Sequence, residues 1–239
     1  MIRILALPLA LLATAAEAEE RRFMLTSFEA VRVEGPFEVT IETGGATGAT
    51  VSGDARAIEG VSLRVEDRVL VVTTDAGGWG GWPGDTAAAP RIVARAPRIV
   101  RAQLVGSGRL AIDRMAGQEV AIGLTGSGIV AVADVEADRF EGVVAGTGSL
   151  AVQGRAGRAR FLSNGAGSID AAKLEVRDLT VQSESAGEAR FAASGSAAIN
   201  ALGLGAVGVA GAAPCTVTGP GPVACATRRD AAPDRVRGD

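Results

Sequence analysis

The sequence predicts an all-β protein: a right-handed parallel β-helix, or β-solenoid, built from repeats of about 20 residues centred on a Gly-Ser-Gly motif. Three observations carry the prediction. The first is recurrence. LVGSGRL starts at Leu104, LTGSGIV at Leu124, VAGTGSL at Val144 and SNGAGSI at Ser163. Their first glycines, Gly106, Gly126, Gly146 and Gly165, are spaced 20, 20 and 19 residues apart, and weaker copies at Ser185–Gly187, Gly203–Gly205 and Gly219–Gly221 make seven units. The second is parity. Side chains two apart share a strand face, and Leu104, Gly106, Gly108, Leu110 and Ile112 all fall on one parity. So do Ile122, Leu124, Gly126, Gly128, Val130 and Val132, and then Val144, Gly146, Gly148, Leu150 and Val152. Where the spacing drops by one, the apolar parity shifts with it, to Phe161, Gly165, Gly167 and Ile169. The third is composition. The 239 residues include 33 Gly but only 3% aromatics, which suits thin regular layers better than a bulky core.

A unit of this length cannot bury its own apolar face; stacking identical units does. Seven rungs at roughly 4.8 Å each give a body about 30 Å long. An antiparallel sandwich also offers strands at regular spacing, but constant self-similarity favours the solenoid. The glycine pairs are the structural corners, expected on the buried parity: Gly106 and Gly108, Gly126 and Gly128, Gly146 and Gly148, Gly165 and Gly167. Between them lie polar stretches that read as turns: DRMAGQE, ADVEADR, QGRAGRA and AAKLEVRD.

In chain order, residues 1–18 form a signal peptide, with Arg3, an apolar run from Ile4 to Ala16, and a small-x-small site at Ala16–Ala18. The run is too short for a membrane span, and no later stretch looks like one, so the mature chain is expected to be exported, to the periplasm or the cell surface. Residues 19–96 form a looser N-terminal β-segment. Val31, Val33, Gly35, Phe37, Val39 and Ile41 share one parity there, and VSLRVEDRVLVVTT reads as a hairpin about Glu66–Asp67. Within this segment, residues 75–90 make a Gly/Pro-rich loop with both tryptophans. Trp79 and Trp82 are candidate binding residues, able to stack on sugar or anchor a partner; the plainer role is to fold over an open solenoid end. Residues 97–225 are the repeat region. Export makes Cys215 and Cys225 disulfide partners, on the inward parity about the last glycine corner. Residues 226–239 are polar and charged, a tail expected to be disordered.

The opening FEAVRVEGPFEV, followed by tandem GSG units with apolar alternation, resembles the head GIN domain family of putative auto-transporter adhesins over roughly Phe28 to Cys225. The resemblance implies a right-handed β-helix in a cell-envelope protein and brings no catalytic residues with it.

The chemical readings are mostly exclusions. With no His in the chain, the GSG serines lack the base of a His-assisted nucleophile. No GK follows the glycines and no G-x-G-x-x-G opens a helix, so phosphate cradling is not expected. Two cysteines without His do not make a zinc site. Asp134, Glu136 and Asp138 could hold one hard cation but read more simply as a solvated turn. No metal site and no cofactor is therefore expected. A net charge of −3 gives no sign of a nucleic-acid partner. The expectation is an exported, non-catalytic, adhesin-like binding or scaffold protein of the cell envelope, with an envelope or surface component, glycan or protein, as its partner. The alternative is a polysaccharide-cleaving enzyme on a β-helix, using carboxylates among Asp113, Glu119, Asp134 and Asp138.

Overall fold

The glycine motif bends the chain sharply at successive turns while its backbone N–H groups donate to the carbonyls of the corner one turn away. The structure, a computed structural model, describes residues 19–74 and 89–226. The expected signal peptide, Trp79 and Trp82, and residues 227–239 lie outside the described residues.

The strands, in chain order, begin with β1 (Glu19–Phe23), β2 (Ala30–Glu34), β3 (Glu38–Thr43) and β4 (Gly48–Gly53). The short helix α1 (Ala55–Glu59) precedes β5 (Val61–Glu66), β6 (Val69–Thr74), β7 (Arg91–Ala96) and β8 (Arg101–Gly106). Five long strands follow: β9 (Arg109–Gly126), β10 (Ile129–Gly146), β11 (Ser149–Gly165), β12 (Ser168–Ser185) and β13 (Ala189–Ala201). The chain closes with β14 (Val207–Gly211), β15 (Cys215–Thr218) and β16 (Val223–Ala226).

Each long strand is nearly a full turn of a solenoid of about six turns. β10 lies parallel to β9 with Arg109 beside Ile129 and Gly126 beside Gly146. β11 lies parallel to β10 with Gly146 beside Gly165, after a one-residue shift past Val132. The 19-residue spacing seen in the sequence is this shift. The sequence count of seven rungs is one more than the solenoid's count of about six turns, because the last glycine corner, at Gly219–Gly221, joins two short arms and closes no full turn.

The polar stretches read as turns are strand instead. In β9 the inward alternation breaks at Asp113–Arg114 and at Gln118–Glu119, where two successive residues are exposed. Each break swings the strand onto a new wall. A turn thus has a second wall after the glycine corner (Leu110, Ile112), a short third wall (Met115) and a first wall (Val120, Ile122, Leu124), all buried. One or two inward apolar residues per turn, such as Met115, Val135, and Leu174 with Val176, hold the third wall to the core. Among so many charges they carry too little periodicity to be recognised in sequence.

Corner packing is tight. The Gly106 carbonyl accepts from the backbone N–H groups of both Ser127 (3.0 Å) and Gly128 (2.9 Å), and the Gly126 carbonyl does the same for Thr147 and Gly148 (2.9 Å each). Parity placed both glycines of a pair on the buried face. Only the second is buried: Gly108, Gly128, Gly148 and Gly167 are, whereas Gly106, Gly126 and Gly146 are partly exposed and Gly165 is exposed. The bend itself turns the first glycine outward.

The same corner ladder continues into the N-terminal segment. Gly35-Pro36-Phe37 stacks on Gly106-Ser107-Gly108, with Gly35 N–H donating to the Val105 carbonyl (2.9 Å) and Arg109 N–H to the Phe37 carbonyl (2.8 Å). β2 pairs in parallel with β8 and β3 with β9, so residue 97 marks where the motif becomes regular, not a break in hydrogen bonding. β6 and β7 stack in turn on β2 and β3. Beyond them β5 and β4 run antiparallel, and β1 pairs antiparallel with β4. The β5–β6 hairpin turns through Asp67 and Arg68, both at positive φ (48° and 64°), as a two-residue hairpin requires. α1, capped by Asp54 accepting from the Arg56 N–H at 3.0 Å, buries Ala57 and Ile58 at this end.

The interior is a set of in-register columns. Val39, Leu110, Val130, Leu150 and Ile169 form one. Gly142 lies between Ile122 and Phe161 in another, and the Phe161 ring fills the space above it; a Cβ on Gly142 would sit 2.8 Å from that ring. Phe161 also meets Phe140 and Phe191, with ring centroids 5.4 and 4.8 Å away. Near the C-terminus the columns turn polar: buried Ser163 and Ser183 share a hydrogen bond of 3.1 Å, so neither hydroxyl is left unpaired. The turns also shorten. Ala171 still faces Phe191, but Glu175 then faces Ala192, so β13 lacks part of the third wall.

Candidate functional site: a groove where the third wall meets the first

The third wall contributes a concave surface. Registers place Gln118, Asp138, Gly157 and Arg177 in one column across β9 to β12, because each lies midway between two residues paired to the next strand. Glu119, Arg139, Arg158 and Asp178 form the column beside it. Gly157 interrupts the first column. A Cβ there would sit 2.8 Å from the Asp138 carbonyl oxygen, so this position holds no side chain without a backbone shift. The result is a depression of about 460 Å³ lined by Gln118, Asp138, Arg139, Gly157, Arg158 and Arg177. It runs into a second one, of about 540 Å³, floored by Ala116, Gly117, Ala137 and Ala156 and edged by Glu136 and Arg155. Small residues make the floor; long charged ones make the rims.

Charge on the rims is partly spent. Arg139 donates to Glu119 at 2.9 Å, and Arg177 donates to Asp178 at 3.0 Å. Asp178 also accepts from the Ser196 hydroxyl at 2.9 Å, and that hydrogen bond, with Arg177 beside it, holds the Asp178 carboxyl below its ordinary pKa. Arg114 pairs with Asp134 (3.6 Å) and with Glu136. Among the described residues, the side chains of Arg155, Asp138 and Gln118 make no hydrogen bond or ion pair, and the Arg158 guanidinium makes none either, although its charge reaches the Asp178 carboxylate paired beside it. β11 is the source of the free cations: it carries Arg155, Arg158 and Arg160 and no acid, between two strands rich in acids. The groove therefore offers two guanidinium groups without a hydrogen-bond partner, one such carboxylate and one amide.

The residues singled out from sequence distribute as follows. Ser107, Ser127 and Thr147 are exposed along the corner edge, in line with Pro36, and none has an assisting base. Asp113 accepts from the Thr43 N–H (2.8 Å) and the Thr43 hydroxyl (3.0 Å), tying the second wall to β3. Asp134 and Glu136 converge on Arg114, away from Asp138, and no cluster of metal-binding side chains occurs among the described residues. Cys215 and Cys225 are bonded to each other. Sequence reasoning missed Gln118, Arg139, Arg155, Arg158 and Arg177. The signal was there: the numbers 118, 138, 157 and 177 step by the same intervals as the glycine corners, so one column could have been followed from rung to rung.

The family of the putative auto-transporter adhesin, head GIN domain, matches residues 27–213. The chain belongs to this family. No curated protein matches the sequence. Solved structures resemble this head GIN domain in fold. A putative adhesin from Bacteroides fragilis superposes with a TM-score of 0.78 at 19% identity, covering 88% of this chain and 97% of that one. A putative lipid binding protein from Parabacteroides distasonis gives 0.68 at 20% identity, over 88% and 97%. A putative adhesin from Parabacteroides merdae gives 0.67 at 17% identity, with the same coverage. At these identities the likeness concerns the fold. The described part of the head GIN domain contains no helix long and apolar enough to cross a membrane.

Proposed function

We propose that this head GIN domain protein is exported and acts in the cell envelope without catalysis, binding a surface component, glycan or protein, through the exposed walls of its solenoid. Membership of an adhesin family carries the reading. Two further features support it. Residues 1–18 have the layout of a cleaved leader, and the walls repeat side chains in register over many rungs, which suits extended ligands. A polysaccharide-cleaving enzyme fits less well. Glycoside hydrolysis uses a pair of free carboxylates, and of the four sequence candidates only Asp138 is unengaged in the groove. The test is capture by the purified mature protein from envelope fractions, with glycan arrays and lipid vesicles as parallel arms. Retention of a surface glycan or protein is the expected result. No retention in any arm, or release of new reducing ends from polysaccharides, would overturn the reading.

A further inference from the structure

The groove narrows the ligand further. We infer that it binds an acidic polysaccharide, one carrying uronate residues, laid across the rungs from Gln118 to Arg177. This rests on the binding reading above and names the ligand class for one wall.

Four observations point there. Arg158 and Arg155 stand on either side of the Gly157 and Ala156 floor with no hydrogen bond to an acid, Arg158 feeling only the nearby charge of Asp178, and a guanidinium with open donors at a concave edge is suited to bidentate contact with a carboxylate. Asp138 and Gln118 are also free, in the same column, and together they accept from and donate to vicinal hydroxyls. The Asp138 carboxylate argues against a polyphosphate or a nucleic-acid duplex, whose closely spaced charges it would repel. A chain with many hydroxyls and one carboxylate per sugar places its negative charge at Arg158 and its hydroxyls at Asp138. The column from Gln118 to Arg177 spans three rung spacings, about 14 Å at ~4.8 Å each, enough for a short oligosaccharide. The depth comes from Gly157, which no larger residue can replace without moving backbone, so the cavity is fixed by the fold and not by a side-chain rotamer.

The experiment is calorimetric titration of the full mature protein with oligogalacturonate, using dextran as the neutral control and dextran sulfate as the charge control. Saturable binding of oligogalacturonate and none of dextran is expected. R155A/R158A should weaken it by about tenfold or more, the scale of a lost charge-assisted pair. D138A should weaken oligogalacturonate binding and leave dextran sulfate binding equal or stronger, because only the uronate presents hydroxyls in the fixed place. Circular dichroism and the urea midpoint check that these exposed substitutions leave the solenoid intact. Unchanged oligogalacturonate binding in R155A/R158A would overturn the proposal, as would binding of dextran sulfate alone or of dextran equally well. The two readings separate in one further measurement: R155A/R158A protein that still captures its envelope component removes this site and keeps the binding function, whereas wild-type protein that captures nothing removes both.

Discussion

Gly126 and Gly128 serve one corner in different ways. Gly126 has a φ of +114°, a conformation that side chains disfavour, and its missing Cβ would also sit 2.5 Å from the Gly106 carbonyl oxygen. Gly128 has no such dihedral; it is excluded from carrying a side chain by backbone 2.6 Å away at Gly108 and by Leu104 at 2.7 Å. Either glycine replaced by Ala should therefore destabilise the protein, by about 1–3 kcal/mol, read from the urea midpoint. Ser127→Ala between them should change stability by less than about 0.5 kcal/mol, since the hydroxyl is exposed and unpaired. Asp178 gives a second residue-scale test. Its lowered pKa means that the carboxylate's contribution to stability is present above the unfolded value, near 3.8, and fades as pH falls through the folded value. In Ser196→Ala the Asp178 titration, followed by carboxyl NMR, should move up toward that ordinary value.

Rungs hold together through their columns, and the columns are unequal. Phe161 occupies the space that Gly142 leaves open and touches Phe140 and Phe191, so it joins neighbouring rungs and more than one wall. Phe161→Ala should cost about 3–5 kcal/mol, more than an Ile-to-Val change elsewhere in the stack, as measured by denaturant unfolding. The last rung is built differently. β15 and β16 are two arms joined at the Gly219–Gly221 corner, with no third wall to close them, and Val217 is 45% exposed there. The Cys215–Cys225 bond ties the two arms, with Cα atoms 6.5 Å apart. Replacing both cysteines by Ser should cost roughly 2–3 kcal/mol for a loop of about 10 residues. Hydrogen exchange should show the loss confined to residues 215–226, with β9 to β11 still protected.

Over the whole molecule, contacts run between residues one turn apart, so stability is distributed by rung and not gathered in one centre. The antiparallel strands and α1 close the N-terminal end, while the disulfide closes the other among the described residues. A turn is then a removable unit. Deleting residues 107–126 joins Gly106 to Ser127, keeps the corner sequence, and leaves Gly142 beneath Phe161. That variant should still fold cooperatively, with less total stability and unchanged β-sheet circular dichroism per residue. Deleting only 107–116 should abolish folding, because half a turn places one wall's inward residues on another wall's register. The two ends also differ in function: the proposed groove sits mid-stack, where the rungs are longest and most regular.

How much of this was legible beforehand follows from which forces repeat. Glycines at 106, 126, 146 and 165, with apolar parity around them, determined the solenoid, its rung length and the place where one residue is lost, since every turn must solve the same steric problem at the same edge. The cysteines at 215 and 225 were legible for the same reason: inward parity about one corner. The third wall was not, because one or two inward residues per turn, such as Met115 or Val135, leave no period for the eye among charged neighbours. The place of Gly35-Pro36-Phe37 in the corner ladder was hidden too, since β4 to β7 intervene in sequence before β8 returns to stack on β2. The groove was decided only by tertiary structure. Gln118, Asp138, Gly157 and Arg177 are polar or small residues with no local pattern; stacking alone brings them into one column, and the missing side chain at 157 gives that column its depth.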